Sequence, residues 1–162
     1  YAAAAVAGVI VSLAVQVSPT NKVLRVSGLT KFYNDGELKK LLGNRVMPLE
    51  RKSGYRIVKG ITTDDGAFRQ VSVRRIVDYA KAGTRIGSLP YIGKLNNARV
   101  RGALKATLNG FLSDMLLNEA LTDFSLDVTA TREQEIAGVA VVTMLLKPTF
   151  SIDYIKVIMN LA

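Results

Sequence analysis

Residues 138–162 read GVAVVTMLLKPTFSIDYIKVIMNLA and hold two apolar runs, Val139–Leu146 and Ile152–Leu161, split by Lys147-Pro148-Thr149-Phe150. The first run is apolar at nearly every position, a pattern that predicts a strand covered on both faces. The second alternates. Ile155, Val157, Met159 and Leu161 fall on one side and Lys156 and Asn160 on the other, which is the two-residue period of a strand. A strand this apolar requires a partner, because an open edge exposes unpaired backbone groups together with apolar side chains. The partner is either another element of the same domain or a sheet in a second copy of the chain.

The 162 residues are 49% apolar, enough for one ordinary globular domain with a sizeable core. A start at Tyr1 instead of methionine marks the chain as a piece of a longer protein or a processed product. The formal net charge is +9, which implies an acidic partner: nucleic acid, an anionic membrane or an acidic protein surface. Cysteine and histidine are both absent. Their absence removes disulfides and thiol chemistry, the Ser-His-Asp and Cys-His constellations, and the usual zinc sites. The inventory therefore argues against an enzyme and implies no catalytic residue, metal or cofactor.

Two further patterns invite chemistry and lack its parts. Gly87 to Leu95 superficially resembles a phosphate loop, but five residues separate Gly87 from Gly93, and Leu95 stands where a magnesium-holding hydroxyl would follow Lys94. Asp64-Asp65 and Asp123 with Asp127 are the notable carboxylate pairs. The first sits in a glycine-containing turn, where aspartate serves turn geometry. Asp127 lies on the polar side of an alternating segment.

Along the chain, Tyr1–Val17 is apolar and alanine-rich but shorter than the roughly 20 residues a membrane span needs, so it is expected to be a buried helix. Lys22–Asn34 is a loop or short strand, and Glu37–Leu42 a short helix stopped by Gly43-Asn44. Val46–Leu49 and Tyr55–Lys59 form a hairpin candidate around Ser53-Gly54. Val73, Ile76, Val77 and Ala80 line one face of a helix over 73–81, with Gly83, Gly87 and Pro90 ending it. Asn96 or Asn97 caps the longest helix, which runs to about Ala120 with Val100, Ala103, Leu104, Leu108, Phe111, Leu112, Met115 and Leu116 in its apolar stripe. That helix begins basic (Arg99, Arg101, Lys105) and ends acidic (Asp114, Glu119), opposite to the preference of the helix dipole. Ser125–Thr131 is a strand, Thr131–Ala137 a polar turn, and the two terminal strands follow. Helices beside a small antiparallel or mixed sheet make an α+β domain.

Arg74, Arg75, Lys81, Arg85, Lys94, Arg99, Arg101 and Lys105 are the one concentration of basic residues. They form either a solvated helix face or a docking surface. DNA is one acidic partner to weigh, but no helix-turn-helix signature is present. Aromatic residues do not alternate with the arginines as a single-strand binder requires.

Several stretches in order, Gly54-Tyr-Arg-Ile-Val-Lys-Gly-Ile-Thr-Thr63, Val71-Ser-Val-Arg-Arg-Ile-Val-Asp-Tyr79 and Tyr91-Ile-Gly-Lys94, followed by a long helix and closing strands, resemble the C-terminal part of contractile-tail sheath proteins. That family comprises the sheaths of myovirus-type phages and of related contractile injection systems. The resemblance covers roughly residues 50 to 162. It divides the chain into 1–45, the end of a preceding domain and a connector, and 46–162, a tube-proximal C-terminal domain. It implies a structural protein without enzymatic activity that polymerises as hexameric rings into a helical sheath and contracts to drive the tube and deliver genome or effectors. It implies as partners other copies of itself, the tail tube protein, and baseplate and tail terminator proteins, without membrane or nucleic acid. It further implies assembly in the host bacterial cytoplasm and a final place in the virion. On this expectation the fold carries a C-terminal strand exchanged between subunits, built from Ile152, Tyr154, Ile155, Val157, Met159 and Leu161. Arg74, Arg75, Lys81, Arg85, Arg99, Arg101 and Lys105 are then the candidate tube-facing residues. A basic nucleic-acid-binding module is the other function compatible with the charge.

Overall fold

The computed structural model describes residues 1–160. It is an α+β chain of two compact units, one formed by residues 1–74 with the chain end from 150 onward, the other by residues 75–149.

In the first unit, the helix α1 (Ala2–Ser12) leads to a strand β1 (Val23–Leu24). The expected buried helix is present but shorter, and none of its residues is buried. Its alanine-rich sequence is apolar without a polar face, so helical periodicity could not indicate which side, if any, is covered. The second helix α2 (Asp35–Gly43) starts at Asn34, whose side chain accepts from the Glu37 amide while Glu37 accepts from the Asn34 amide. This reciprocal cap satisfies two donors that helix geometry leaves open. The strands β2 (Leu49–Arg51) and β3 (Tyr55–Ile57) form a hairpin around Ser53-Gly54 as expected, although its first strand lies over 49–51 and not 46–49, and β1 adds to it in the order β1-β3-β2, all antiparallel. Ser53 and Gly54 both take positive φ, 48° and 105°, the left-handed conformations that a tight reversal demands. Leu24, Ile57, Ile61 and Val73 are buried here.

The helix α3 (Val71–Ser88) begins in this unit and continues into the second. It is longer than the expected 73–81, because Gly83 and Gly87 do not end it. A Cβ on Gly83 would lie 2.0 Å from Phe111 Cζ, and one on Gly87 3.1 Å from Leu108 Cδ2. Both glycines permit close approach of the next helix and terminate nothing. The helix stops at Ser88, where a 3₁₀ turn containing Pro90 follows, so Gly87 belongs to a helix and not to a phosphate loop.

The long helix α4 (Ala98–Leu117) starts at Asn97, whose Oδ1 accepts from the Val100 amide at 2.9 Å. Leu104, Leu108, Leu112 and Met115 of the expected stripe are buried. After it come β4 (Leu121–Thr129), a short helix α5 (Arg132–Ile136) and β5 (Val141–Pro148). Where a polar turn was expected, Thr131 and Gln134 form a second reciprocal cap that nucleates α5. The strands β4 and β5 pair antiparallel as a two-stranded ribbon. Its inner face, from Phe124, Leu126, Val128, Val142, Met144 and Leu146, packs on Ile76, Ala80, Leu104, Leu108, Leu112 and Met115.

One expectation about the closing strands needs correction. The run Val139–Leu146 is not covered on both faces: the residues pointing away from the core are open, and Leu145 is 62% exposed. For the alternating run after it the sequence leaves two partners open, the same domain or a second copy, and residues 149–160 lie in no sheet of their own chain. The alternating pattern is present, but among the described residues no strand pairs with it.

Candidate functional site

Two features stand out as unfinished. The first is the ribbon β4–β5. A sheet of two strands leaves one hydrogen-bonding edge of each strand without a strand partner, and strand edges left this way accept added strands. The outer face is polar along β4 and mixed along β5. Asp123 opposes Lys147 across the pair, with Nζ 2.6 Å from Oδ2. That hydrogen bond, together with the ammonium charge, holds the Asp123 carboxyl below its ordinary pKa. Ser125 opposes the exposed Leu145.

The second is the segment after β5. Ile152, Tyr154, Ile155, Val157, Ile158 and Met159 are all exposed, Ile155 by 83% and Met159 by 86%. Of the residues expected to form the exchanged strand, Ile152, Tyr154, Ile155, Val157 and Met159 are therefore side by side on an open arm, while Leu161 lies outside the described residues. The root of the arm is held differently from the rest. Asp153 is only 10% exposed at its side chain. Its Oδ2 meets Lys59 Nζ at 3.2 Å and accepts from Gln70 Nε2 at 3.0 Å, and its Oδ1 accepts from the Thr20 hydroxyl at 3.2 Å. Gln70 also bonds the arm's backbone, accepting from the Ser151 amide and donating to its carbonyl. Lys59 Nζ lies 4.5 Å from the centroid of the Tyr154 ring.

The expected tube-facing residues divide by their surroundings. Arg101 is 15% exposed and reaches Glu135 Oε1 at 2.8 Å, while Lys105 Nζ lies 3.1 Å from Asp127 Oδ1. The basic start of α4, unfavourable to the helix dipole, is thereby matched by carboxylates on α5 and β4. Sequence order could not reveal these partners. The hydrogen bond from Arg101, then that from Arg132, lowers the Glu135 pKa, and the bond from Lys105 lowers that of Asp127. Arg74 places its guanidinium 5.0 Å from the Phe68 ring centroid, and Arg75 is half-buried. Lys81, Arg85 and Arg99 are exposed and make no salt bridge among the described residues.

One signal in this region went unread in the sequence. Between Asp78 and Asp114 the chain carries no carboxylate side chain, so a cation there is neutralised only by a partner from elsewhere in the chain, as Arg101 and Lys105 are. In the same stretch Ile86, Leu89, Ile92 and Leu95 are exposed at three-residue intervals. A cleft of about 300 Å³ at the start of α4 is lined by Tyr91, Lys94, Arg101 and Val142 among others.

Three of the four paired carboxylates have a structural partner. Asp64 accepts from the Phe68 amide and closes its loop, and Asp123 and Asp127 hold lysines. Among the described residues no helix is long and apolar enough to cross a membrane.

The family model for the phage tail sheath C-terminal domain matches residues 63–162. A cryo-EM structure of the anti-feeding prophage baseplate contains a chain that superposes with a TM-score of 0.89 at 18% identity, covering 97% of this chain and 49% of that one. The contracted helical sheath of the anti-feeding prophage gives 0.85 at 17% identity, covering 98% and 49%. A crystal structure of a sheath tail protein from Listeria innocua gives 0.75 at 15% identity, covering 90% and 38%. The chain thus spans about half the length, or less, of the structures it matches. No curated protein sequence matches it.

Proposed function

Because the chain belongs to the family of phage tail sheath C-terminal domains, we propose that it is the part of a contractile sheath subunit through which copies are linked into a tubular sheath around a tail tube. This reading rests on one juxtaposition: a single chain carries both a two-stranded ribbon and, after it, an exposed apolar arm that joins no sheet among the described residues. An arm added as a strand to a neighbour's ribbon resolves both at once. Repeated head-to-tail, such a contact makes a lattice and not a closed pair. The subunit acts as a link and not a catalyst, in a phage or phage-like particle whose baseplate it also meets.

Burying Ile155, Val157 and Met159 in a neighbour contributes about 1.5–3 kcal/mol each. Ordering the arm's backbone costs about 1–2 kcal/mol per residue over Ile155–Asn160. The two are of similar size, so backbone pairing and any prior ordering of the arm decide whether the joint holds. Contacts to the tube are of another kind. Lys81, Arg85 and Arg99, with the exposed apolar row Ile86, Leu89, Ile92 and Leu95 among them, suit an acidic protein surface with an apolar centre. Exposed charge pairs contribute about 0.2–1 kcal/mol each, which lets a tube be gripped over many rings and released on contraction. The arm holds while the basic face lets go.

Removing residues 155–162 from the full-length protein tests this. The variant is expected to remain soluble, with unchanged circular dichroism, and to form no tubes by negative-stain microscopy. Long sheaths of normal appearance would refute the exchange.

A further inference from the structure

From the setting of Asp153 we infer that the arm is divided at Tyr154: Ser151, Asp153 and Tyr154 form a mooring on their own subunit, and only the residues from Ile155 onward are given to a neighbour. This deepens the exchange reading above and rests on it.

Three segments distant in sequence converge on the arm's root. Thr20 follows α1, Lys59 follows β3, and Gln70 precedes α3. Together they offer Asp153 a cation and two uncharged donors, and both oxygens of the carboxylate are occupied. The Thr20 hydroxyl also accepts from the Gly60 amide at 2.9 Å, and a Cβ on Gly60 would lie 2.6 Å from Pro19 Cγ, so the receiving groups are themselves fixed in place. Gln70 uses both ends of its amide on Ser151, and its nitrogen also reaches Asp153. A solvent-facing tail has no use for a carboxylate with three shielded partners. One residue pair later the character changes, and no side chain from Ile155 to Asn160 has a hydrogen bond or ion pair among the described residues.

A charge-assisted clasp beside a free apolar strand has a mechanical consequence. Tethering fixes the point from which the arm departs, so the arm searches a small volume and presents a high effective concentration to a neighbour's edge. Ile155–Asn160 fully extended spans about 3.3–3.6 Å per residue, roughly 20 Å, so an edge that takes Ile155, Val157 and Met159 lies within that reach of Tyr154. Ile152 and Tyr154 leave the exchanged set, and Asp153, Lys59 and Gln70 enter as positioning residues for assembly.

The test uses the full-length protein with Asp153→Asn, Lys59→Met and, as comparator, deletion of residues 155–162. Hydrogen exchange of the 149–155 backbone in dispersed subunits reads the mooring, with residues 104–115 of α4 as the control for folding. The protein concentration needed for tube formation reads assembly. Asp153→Asn and Lys59→Met are expected to raise exchange at Ser151 at least tenfold, to leave α4 unchanged, and to raise the assembly threshold about tenfold, while the deletion forms no tubes. Unchanged exchange at Ser151 overturns the mooring outright. Lost protection with a normal threshold also overturns it, and leaves the exchange standing if the deletion still fails to assemble. Normal tubes from the deletion overturn both, a result distinct from either of the others.

Discussion

Replacing Gly83 by alanine tests how the second unit is held together. In an exposed helix interior the change from glycine to alanine stabilises by about 0.8–1.0 kcal/mol, because glycine loses more conformational freedom on folding. Gly110 of α4 has nothing within 4 Å of an added Cβ, so Gly110→Ala should show that gain. At Gly83 the new methyl would lie 2.0 Å from Phe111 Cζ and 2.5 Å from both Cε atoms. The ring cannot turn aside freely: it packs against the core cluster and stands 5.7 Å from the Tyr79 ring centroid at 47°. Either the helices separate or the ring leaves its site, and overpacking of this kind costs about 1–3 kcal/mol. Gly83→Ala is therefore expected to fall below Gly110→Ala by about 1–3 kcal/mol in urea unfolding. In thermal unfolding each kcal/mol should separate the two midpoints by about 2–4 °C. Phe111→Leu should relieve the penalty, giving a coupling of about 1 kcal/mol between the two positions. If Gly83→Ala gains as much as Gly110→Ala, the close approach of α3 and α4 is wrong and Gly83 has no packing role.

Acid should weaken the unit through Glu135. Its folded pKa lies below the ordinary glutamate value of about 4.3, so its contribution is complete above that value and is lost as the pH falls through the folded pKa. Glu135→Gln should consequently lose less stability than the unsubstituted chain as the pH falls from about 5 through the folded pKa, and identical acid limbs in the two denaturation series would contradict the Arg101 contact. Reversing Lys81, Arg85 and Arg99 to glutamate should loosen tube attachment in co-sedimentation at low salt while tube-free sheath polymers persist. Reversing Lys105 alone should chiefly break its contact with Asp127. Equal loss of tube attachment from the single and the triple change would show that this division of the basic residues is wrong.

Signals confined to a few neighbouring residues are legible in the sequence alone. An asparagine cap at 96 or 97 is readable because a side-chain oxygen two or three residues ahead of free amides binds them wherever the helix lies, and the structure assigns it to Asn97. Ser53-Gly54 turns the chain because glycine accepts, at no steric cost, the positive φ that the reversal needs at position 54. The stripe from Leu104 to Met115 declares its buried face by spacing alone. The stretches 54–63, 71–79 and 91–94 carried enough local order to resemble the sheath family, and the match over 63–162 agrees. What tertiary structure decided was every choice between equal local readings. Gly83 and Gly87 looked like helix stops and prove to be gaps for Phe111 and Leu108, since a missing side chain says nothing about what fills its place. Arg101 and Lys105 looked like free charge, and their counter-ions lie on β4 and α5, some twenty to thirty-odd residues further along the chain. The run Val139–Leu146 looked covered on both faces and is covered on one, because apolar content records what a strand can bury but not how many layers are present to bury it. Asp153 carried no signal at all: a carboxylate is identified as a mooring only by the lysine, glutamine and threonine that folding brings around it.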